Sequence, residues 1–354
     1  MQEPVTIIGA GPAGLTAAIV LRRHGIPVRV HEMSTDVGTR LSGDFQGFEN
    51  WSSPQQLKDF LKEVGIEPDF LCEPYFNGTV FAPGMAPSTI TSRKPIFYLV
   101  RRGPMEDTLD TRLKEQALAL GAELIFNNRL ETTTGRVIVG TGPKSADAIA
   151  TGITFRTSME NTAAVVFDND FAPKGYAYLL VHEGHGTLAT VIYRDFHREA
   201  ACREKVIEFF RKELGVTFRN ERQFTSYANF FLRDSQVEEN RLYVGESAGF
   251  QDFLWGFGMR YAVLSGYLAA RSIIDGTDYD TLWKEQLKPM LQTSLVNRFL
   301  LELGGNTGYR WLTRKFQDGN PCEFLRRHYN HSFIKNLMLP LARRIITPSP
   351  RYSA

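Results

Sequence analysis

Cysteine is scarce: Cys72, Cys202 and Cys322 are all that the 354-residue chain has. A scattered, odd set without a Cys-x-x-Cys pair supports neither a disulfide framework nor a zinc site, and a reducing, cytoplasmic setting is expected. Long hydrophobic runs are absent, so no stretch reaches the length of a membrane span. Charge of one sign is missing too: 41 Lys and Arg against 39 Asp and Glu leave a net charge of +2, which gives no reason to expect a nucleic-acid partner. The apolar N-terminal stretch has no basic leader and is broken by glycines, so it reads as the first strand of a fold and not as a signal peptide. In that setting the Asn-x-Ser/Thr matches at Asn50, Asn77 and Asn330 are chance. Repeats and low-complexity segments are lacking. His182 and His185 flank a turn, and His328 and His331 sit in a basic segment; without acidic or thiol partners neither pair reads as a metal site.

What the chain does have is concentrated in its first forty residues. Val5-Thr6-Ile7-Ile8 is a buried strand, followed without a spacer by Gly9-Ala10-Gly11-Pro12-Ala13-Gly14 and then by a helix with Leu15, Ala18, Ile19 and Arg22 at helical spacing. A second strand, Val28 to His31, leads to Glu32, 18 residues beyond Gly14. Gly9 permits the tight turn, Gly11 lets a pyrophosphate approach the backbone, and Gly14 lets the helix pack on the sheet. The helix start offers free N–H groups and a positive dipole end to phosphates. Glu32 can accept hydrogen bonds from a ribose and repels a 2′-phosphate, which favours FAD or NAD over NADP. Gly9, Gly11, Ala13, Gly14, Glu32 and Met33 are therefore candidate cofactor contacts. The polar loop after Met33 delivers Arg40, either a pyrophosphate contact or a solvated surface arginine.

A helix is expected over Pro54 to Val64 with Ser53 as its N-cap. Proline and glycine break up 70–97 into short inserted strands and loops. The strand Ile96 to Val100 ends at Arg101-Arg102 and leads into a helix expected from Pro104 to Leu120, closed by Gly121; the arginine pair is either a phosphate contact or a solvated helix entrance. Strand Ala122 to Phe126 and two weak strands within 135–149 follow. From Thr151 to Arg194 the pattern is β-rich, with strands at 162–167, 176–181 and 187–193. There Tyr176 and Tyr178 share one face and line either an apolar pocket or the sheet's own core. After a helix over 198–214, the strand Arg241 to Val244 reaches a turn, Gly245-Glu246-Ser247-Ala248-Gly249, and Gly256-Phe257-Gly258 opens a long helix. Backbone can approach a second part of the same long ligand at these glycines. The tail is basic and apolar, with nine Lys or Arg from Arg310 to Arg351 against two acids. It either lies on an anionic membrane surface or, the slightly favoured reading, is a solvated helix packed on the domain.

Taken together, the glycine turn with Glu32, the segment Tyr98-Leu99-Val100-Arg101-Arg102 leading to Met105, Glu106 and Leu109, and the turn Gly245 to Gly249 resemble FAD-dependent oxidoreductases of the aromatic-hydroxylase type. Within that group, Gly175-Tyr176-Ala177-Tyr178-Leu179-Leu180-Val181 and Phe253-Leu254-Trp255-Gly256-Phe257-Gly258-Met259 are similar to segments of geranylgeranyl reductases. The resemblance implies that Glu32 binds the adenosine ribose, Arg102 reaches the pyrophosphate, Glu246 bonds the ribityl chain, and Gly256 and Gly258 lie against the flavin end. It departs at Glu246, where the family has Asp, at Ser42-Gly43, where archaeal reductases have a cysteine before the glycine, and at Val181, where they have proline.

The expected fold is α/β: a Rossmann-like FAD-binding domain with an inserted antiparallel β-sheet substrate domain and a helical C-terminal region. The FAD domain is expected at 1–75, 98–158 and 236–279, the substrate domain at 76–97 and 159–235, and the helical region at 280–354. The activity implied is reduction of a carbon–carbon double bond in an apolar, isoprenoid-like substrate, with NAD(P)H or a reduced protein as electron donor. The alternatives are a flavin-dependent monooxygenase or halogenase acting on an aromatic substrate, and a non-catalytic flavin electron carrier.

Overall fold

The computed structural model describes residues 3–130, 134–330 and 332–346; His331 and Arg351 lie outside the described residues. Three sheets organise the chain. The first has six strands in the order Val237–Glu238, Arg241–Tyr243, Val137–Val139, Val5–Ile8, Val28–His31 and Glu123–Ile125. All of its pairings are parallel except the hairpin at the first edge. Val5–Ile8 is buried at every position, which is why four consecutive apolar or β-branched residues form it rather than an alternating set. Helix Pro12–Arg23 follows it and packs against helix Met259–Asp275. Gly266 permits that approach, since a Cβ there would run into the Ala13 carbonyl.

The second sheet has seven strands in the order Arg219–Ala228, Ala148–Arg156, His185–Ile192, Tyr176–His182, Thr162–Val166, Asn77–Phe81 and Ser88–Thr91. It is antiparallel apart from the pairing of Asn77–Phe81 with Thr162–Val166. Helix Glu199–Leu214 backs it, setting Val206, Ile207 and Phe210 against Ile153, Phe155, Leu179 and Leu188. A third sheet of three strands is made by Phe45–Glu49, Phe97–Arg101 and Cys72–Tyr75. Helices Tyr279–Gln286, Lys288–Gln317, Pro321–Tyr329 and Phe333–Ile346 complete the described chain, the long one kinked at Gly305.

The expected α/β architecture, with its antiparallel sheet and C-terminal helices, is the one observed. Three local expectations need correction, and one strand carried no signal in the sequence. The helix expected from Pro54 with Ser53 as cap spans Leu57–Glu63, because the side-chain Oδ1 of buried Asn50 accepts the Leu57 N–H at 2.9 Å and starts it later. The helix expected from Pro104 spans Leu109–Ala119, started by Thr108, whose hydroxyl accepts the Thr111 N–H. Strand Arg219–Ala228 escaped notice because its polar, largely exposed residues carry no apolar alternation; its pairing with Ala148–Arg156 holds it at the sheet edge. Finally, the boundary expected at residue 158 marks no change of sheet, since Ala148–Arg156 pairs along its length with His185–Ile192.

Candidate functional site

A cleft of about 1100 Å³ runs from the six-stranded sheet to the seven-stranded one. At one end it is walled by the turn Gly9 to Ala13, by Glu32 and Met33, and by Gly140 to Gly142. Gly9 has φ +102°, and a Cβ on it would run into the Gly140 carbonyl, so only glycine makes this turn. Helix Pro12–Arg23 begins at Gly11 without a side-chain cap and with no acid in its first turn, which leaves its positive end unneutralised where it meets the cleft. Gly14 does not line the cleft; a Cβ there would meet the Gly9 carbonyl and Ile7, so its part is to let the helix sit on the sheet.

Glu32 stands at the tip of its strand with both carboxylate oxygens anchored. Oε2 accepts the Ala10 N–H at 2.8 Å and Oε1 accepts the Ser34 N–H at 2.9 Å. The acid is thus fixed beside the glycine turn and retains lone pairs for a diol. Met33 beside it is exposed and also lines the cleft.

Arg40 and Arg102 reach the middle of the cleft from different loops. Arg40 is exposed, with Nη1 close to Gly142. Arg102 is partly buried, and Asp110 holds it in a two-pronged pair: Nε and Nη2 each donate to a carboxylate oxygen at 2.8 Å. Burial works against the charge on Arg102, but the Asp110 carboxylate, with Asp44 and Glu246 behind it, outweighs burial and keeps the guanidinium pKa above its ordinary value. Sequence reasoning missed Asp110, although an acid eight residues after an arginine, in the first turn of the next helix, is the signal that could have found it.

Glu246 lies across from these arginines in a short helical turn, Gly245–Ala248. Its Oε1 accepts the Asn229 N–H at 2.8 Å. Burial pushes its carboxyl up to about 7, against the pull of that hydrogen bond and of Arg40 and Arg102. Gly245, at φ +59°, sits where a Cβ would stand 3.0 Å from Ala13, so the two ligand-facing turns touch. Farther along, Gly256, at φ +75°, and Gly258 belong to a loop laced by Gln251 and by Asp252, which accepts the Trp255 N–H at 2.7 Å and the Tyr329 hydroxyl at 2.8 Å. Burial raises the Asp252 carboxyl to about 7. Neither Asp252 nor Asn229 carried a sequence signal; the fold brings them in.

The other end of the cleft is apolar, lined by Val80, Ile90, Phe167, Trp255, Phe316 and Leu325. Tyr176 and Tyr178 do share a face and line this arm, with ring centroids 6.3 Å apart. The Tyr176 hydroxyl donates to the Trp255 carbonyl at 2.6 Å, whereas the Tyr178 hydroxyl takes no hydrogen-bond partner among the described residues. Burial raises both phenols well above their ordinary value, so both stay protonated donors. Ser42 and Gly43 lie off the cleft; a Cβ on Gly43 would collide with the Met105 side chain.

Of the sequence candidates, Gly9, Gly11, Ala13, Glu32, Met33, Arg40, Arg102, Gly245, Glu246, Gly256, Gly258, Tyr176 and Tyr178 all line one cleft. A fixed acid, an uncapped helix start, two glycine cradles and two cations in sequence fit a long dinucleotide such as FAD.

Comparison with known proteins agrees with the fold that builds this cleft. Residues 7–63 match the NAD(P)-binding Rossmann-like domain family. The chain is 24% identical, over 85% of its length and 88% of the relative's, to digeranylgeranylglycerophospholipid reductase 2 of Methanothermobacter thermautotrophicus. A geranylgeranyl bacteriochlorophyll reductase-like structure from Thermoplasma acidophilum superimposes with a TM-score of 0.71 at 15% identity, covering 97% of this chain and 98% of that one. A variant of a flavin-dependent brominase gives 0.67 at 12% identity, covering 98% and 100%. The chain therefore opens with a Rossmann-like segment, residues 7–63, within the overall fold shared by geranylgeranyl reductase-like and flavin-dependent halogenase structures, as its motifs implied.

Proposed function

We propose that this protein is an FAD-dependent oxidoreductase that reduces carbon–carbon double bonds of an apolar, isoprenoid-like substrate. The observation that carries the reading is the two-part cleft: a charged, glycine-walled arm continues without a break into an arm lined by aliphatic and aromatic side chains. In the charged arm, Glu32 would hold the adenosine ribose, and the start of helix Pro12–Arg23 with Arg40 and Arg102 would hold the pyrophosphate. Glu246 would bond the ribityl hydroxyls, and Gly256 and Gly258 would leave room for the ring. Bound there, the flavin supplies the hydride equivalent, replenished by NAD(P)H or a reduced protein. The apolar arm orients the alkene and excludes water. Hydride addition to one alkene carbon requires a proton at the other, and Tyr178, beside Tyr176 in the apolar arm, is a hydroxyl free to give it. The relative named for reducing a digeranylgeranyl lipid supports this substrate class.

A second reading, a monooxygenase or halogenase acting on an aromatic substrate, is supported by the likeness to the brominase. The test is an absorbance spectrum of the purified protein, anaerobic reduction, and then mixing with a polyprenyl lipid. Flavin reoxidation by the lipid without oxygen, with a saturated product, supports the reductase. Turnover only with oxygen, or a preparation that refuses flavin, overturns it.

A further inference from the structure

The last described helix, Phe333–Ile346, has two faces of different character. Met338, Leu339, Ala342 and Ile346 turn inward onto the core, with Ala342 and Ile346 buried. On the other side Phe333, Ile334, Leu337, Leu341 and Ile345 are between 47% and 76% exposed. At about 100° per residue these five fall within an arc of about 120°, so they form a single outward apolar stripe. Scattered apolar residues on a surface are ordinary, but an aligned stripe of this size is not.

The geometry points to an anionic lipid bilayer surface as what this stripe meets. Three observations favour it. First, the C-terminal helices are rich in positive charge: residues 310–346 hold eight Lys or Arg (310, 314, 315, 326, 327, 335, 343 and 344) and two acids, Asp318 and Glu323. Arg344 is exposed and falls within the same arc, near the C-terminal end of the stripe. Lys335, by contrast, is spent on the carbonyls of His328 and Asn330 at the end of the preceding helix. A second copy docking through the same stripe would set this positive rim against itself, whereas acidic headgroups complement it. Second, the helix has 14 residues, and among the described residues no helix is long and apolar enough to cross a membrane, so the stripe suits lying in the interface plane. Third, the apolar arm of the cleft leads toward the start of this helix, where Lys335 bonds the His328 carbonyl and the His328 ring lies 6.3 Å from that of Trp311. Phe316 and Leu325 line the arm, and the Phe324 ring stands edge-on to Phe316 at 5.7 Å and to Trp311 at 5.8 Å. Trp311 is 48% exposed, so an aromatic path runs from cleft wall to surface.

The docking deepens the proposed function, because a lipid-borne isoprenoid would be drawn from the bilayer on the side where the apolar arm ends. The surface itself is tested without substrate. Flavin-loaded protein is sedimented with vesicles of phosphatidylcholine and phosphatidylglycerol, and with phosphatidylcholine alone. We expect binding to the mixed vesicles that falls as salt rises. The combined variant Phe333→Ser, Leu337→Ser, Leu341→Ser should lose binding at least roughly tenfold while its flavin spectrum is unchanged. Arg344→Glu should weaken binding to the mixed vesicles and leave the weaker binding to phosphatidylcholine alone as it was. Binding of the triple variant equal to the parent's overturns the proposal. So does a parent that ignores both vesicles, or one that forms a dimer the triple variant abolishes with no lipid binding. A protein that binds vesicles and fails to reduce polyprenyl lipids would retain the docking surface and lose the assigned reaction.

Discussion

Replacing Glu246 with Gln should stabilise the flavin-free protein, and only at high pH. In the folded chain the Glu246 carboxyl sits at about 7 against an ordinary 4.5, because burial penalises its charge by more than the Asn229 N–H, Arg40 and Arg102 return. The folded state therefore binds this proton more tightly than the unfolded chain does. The stability that goes with it is complete below about 4.5 and is lost as the pH rises through 7. A displacement of that size corresponds to at most about 3 kcal/mol at pH 8. Glutamine keeps the acceptor for the Asn229 N–H, which lies at 2.8 Å, and brings no charge, so it escapes the penalty. The assay is denaturant unfolding of apoprotein at pH 5 and pH 8 for parent and variant. The comparison with the parent matters because Asp252 is raised to about 7 as well and adds its own pH dependence to both proteins. A gain of about 1 to 3 kcal/mol at pH 8 that shrinks toward zero at pH 5 is expected. A variant less stable than the parent at pH 8, or an offset independent of pH, would refute the reasoning. The same substitution should weaken FAD binding, since the carboxylate is a better acceptor for ligand hydroxyls than the amide.

Three other outcomes are expected. Glu32→Arg sets a long cation at the ribose position and removes the acceptor of the Ala10 and Ser34 N–H groups, so the purified protein should be nearly colourless, read as flavin absorbance per chain. Asp110→Asn removes the charge that pairs with Arg102, and one of its two 2.8 Å hydrogen bonds, in a site where the acid is 2% exposed, and should cost about 3 to 5 kcal/mol in denaturant unfolding. Tyr178→Phe should leave flavin content and photoreduction intact and slow lipid-dependent reoxidation by about 10²-fold in stopped-flow absorbance; Tyr176→Phe, whose hydroxyl is tied to Trp255, should slow it less.

The N-terminal nucleotide turn was legible from the primary structure because its physics is local. Four buried residues, glycines that must accept positive φ or close backbone approach, and an acid one strand later lie within a single strand–helix–strand unit. Tyr176 and Tyr178 were legible for the same reason, since alternate residues of a strand face one way. Local chemistry left Arg102 between a phosphate contact and a solvated helix entrance, and only the resemblance assigned it to a site; what Arg102 and Glu246 touch was not legible at all.

Tertiary structure decided the rest. The Asn229 N–H on Glu246 and the Tyr329 hydroxyl on Asp252 join residues 17 and 77 positions apart, and no pattern in the chain announces them. Strand Arg219–Ala228 exists because Ala148–Arg156 offers it a backbone partner, its own side chains having no apolar rhythm. The basic tail could be read two ways until packing committed Met338, Leu339, Ala342 and Ile346 to the core and left Phe333, Ile334, Leu337, Leu341 and Ile345 outside. Short-range steric rules act through neighbouring residues and so can be read off the chain; burial, ion pairing and carboxyl protonation depend on which distant segments exclude water from a group, and only the folded molecule sets that.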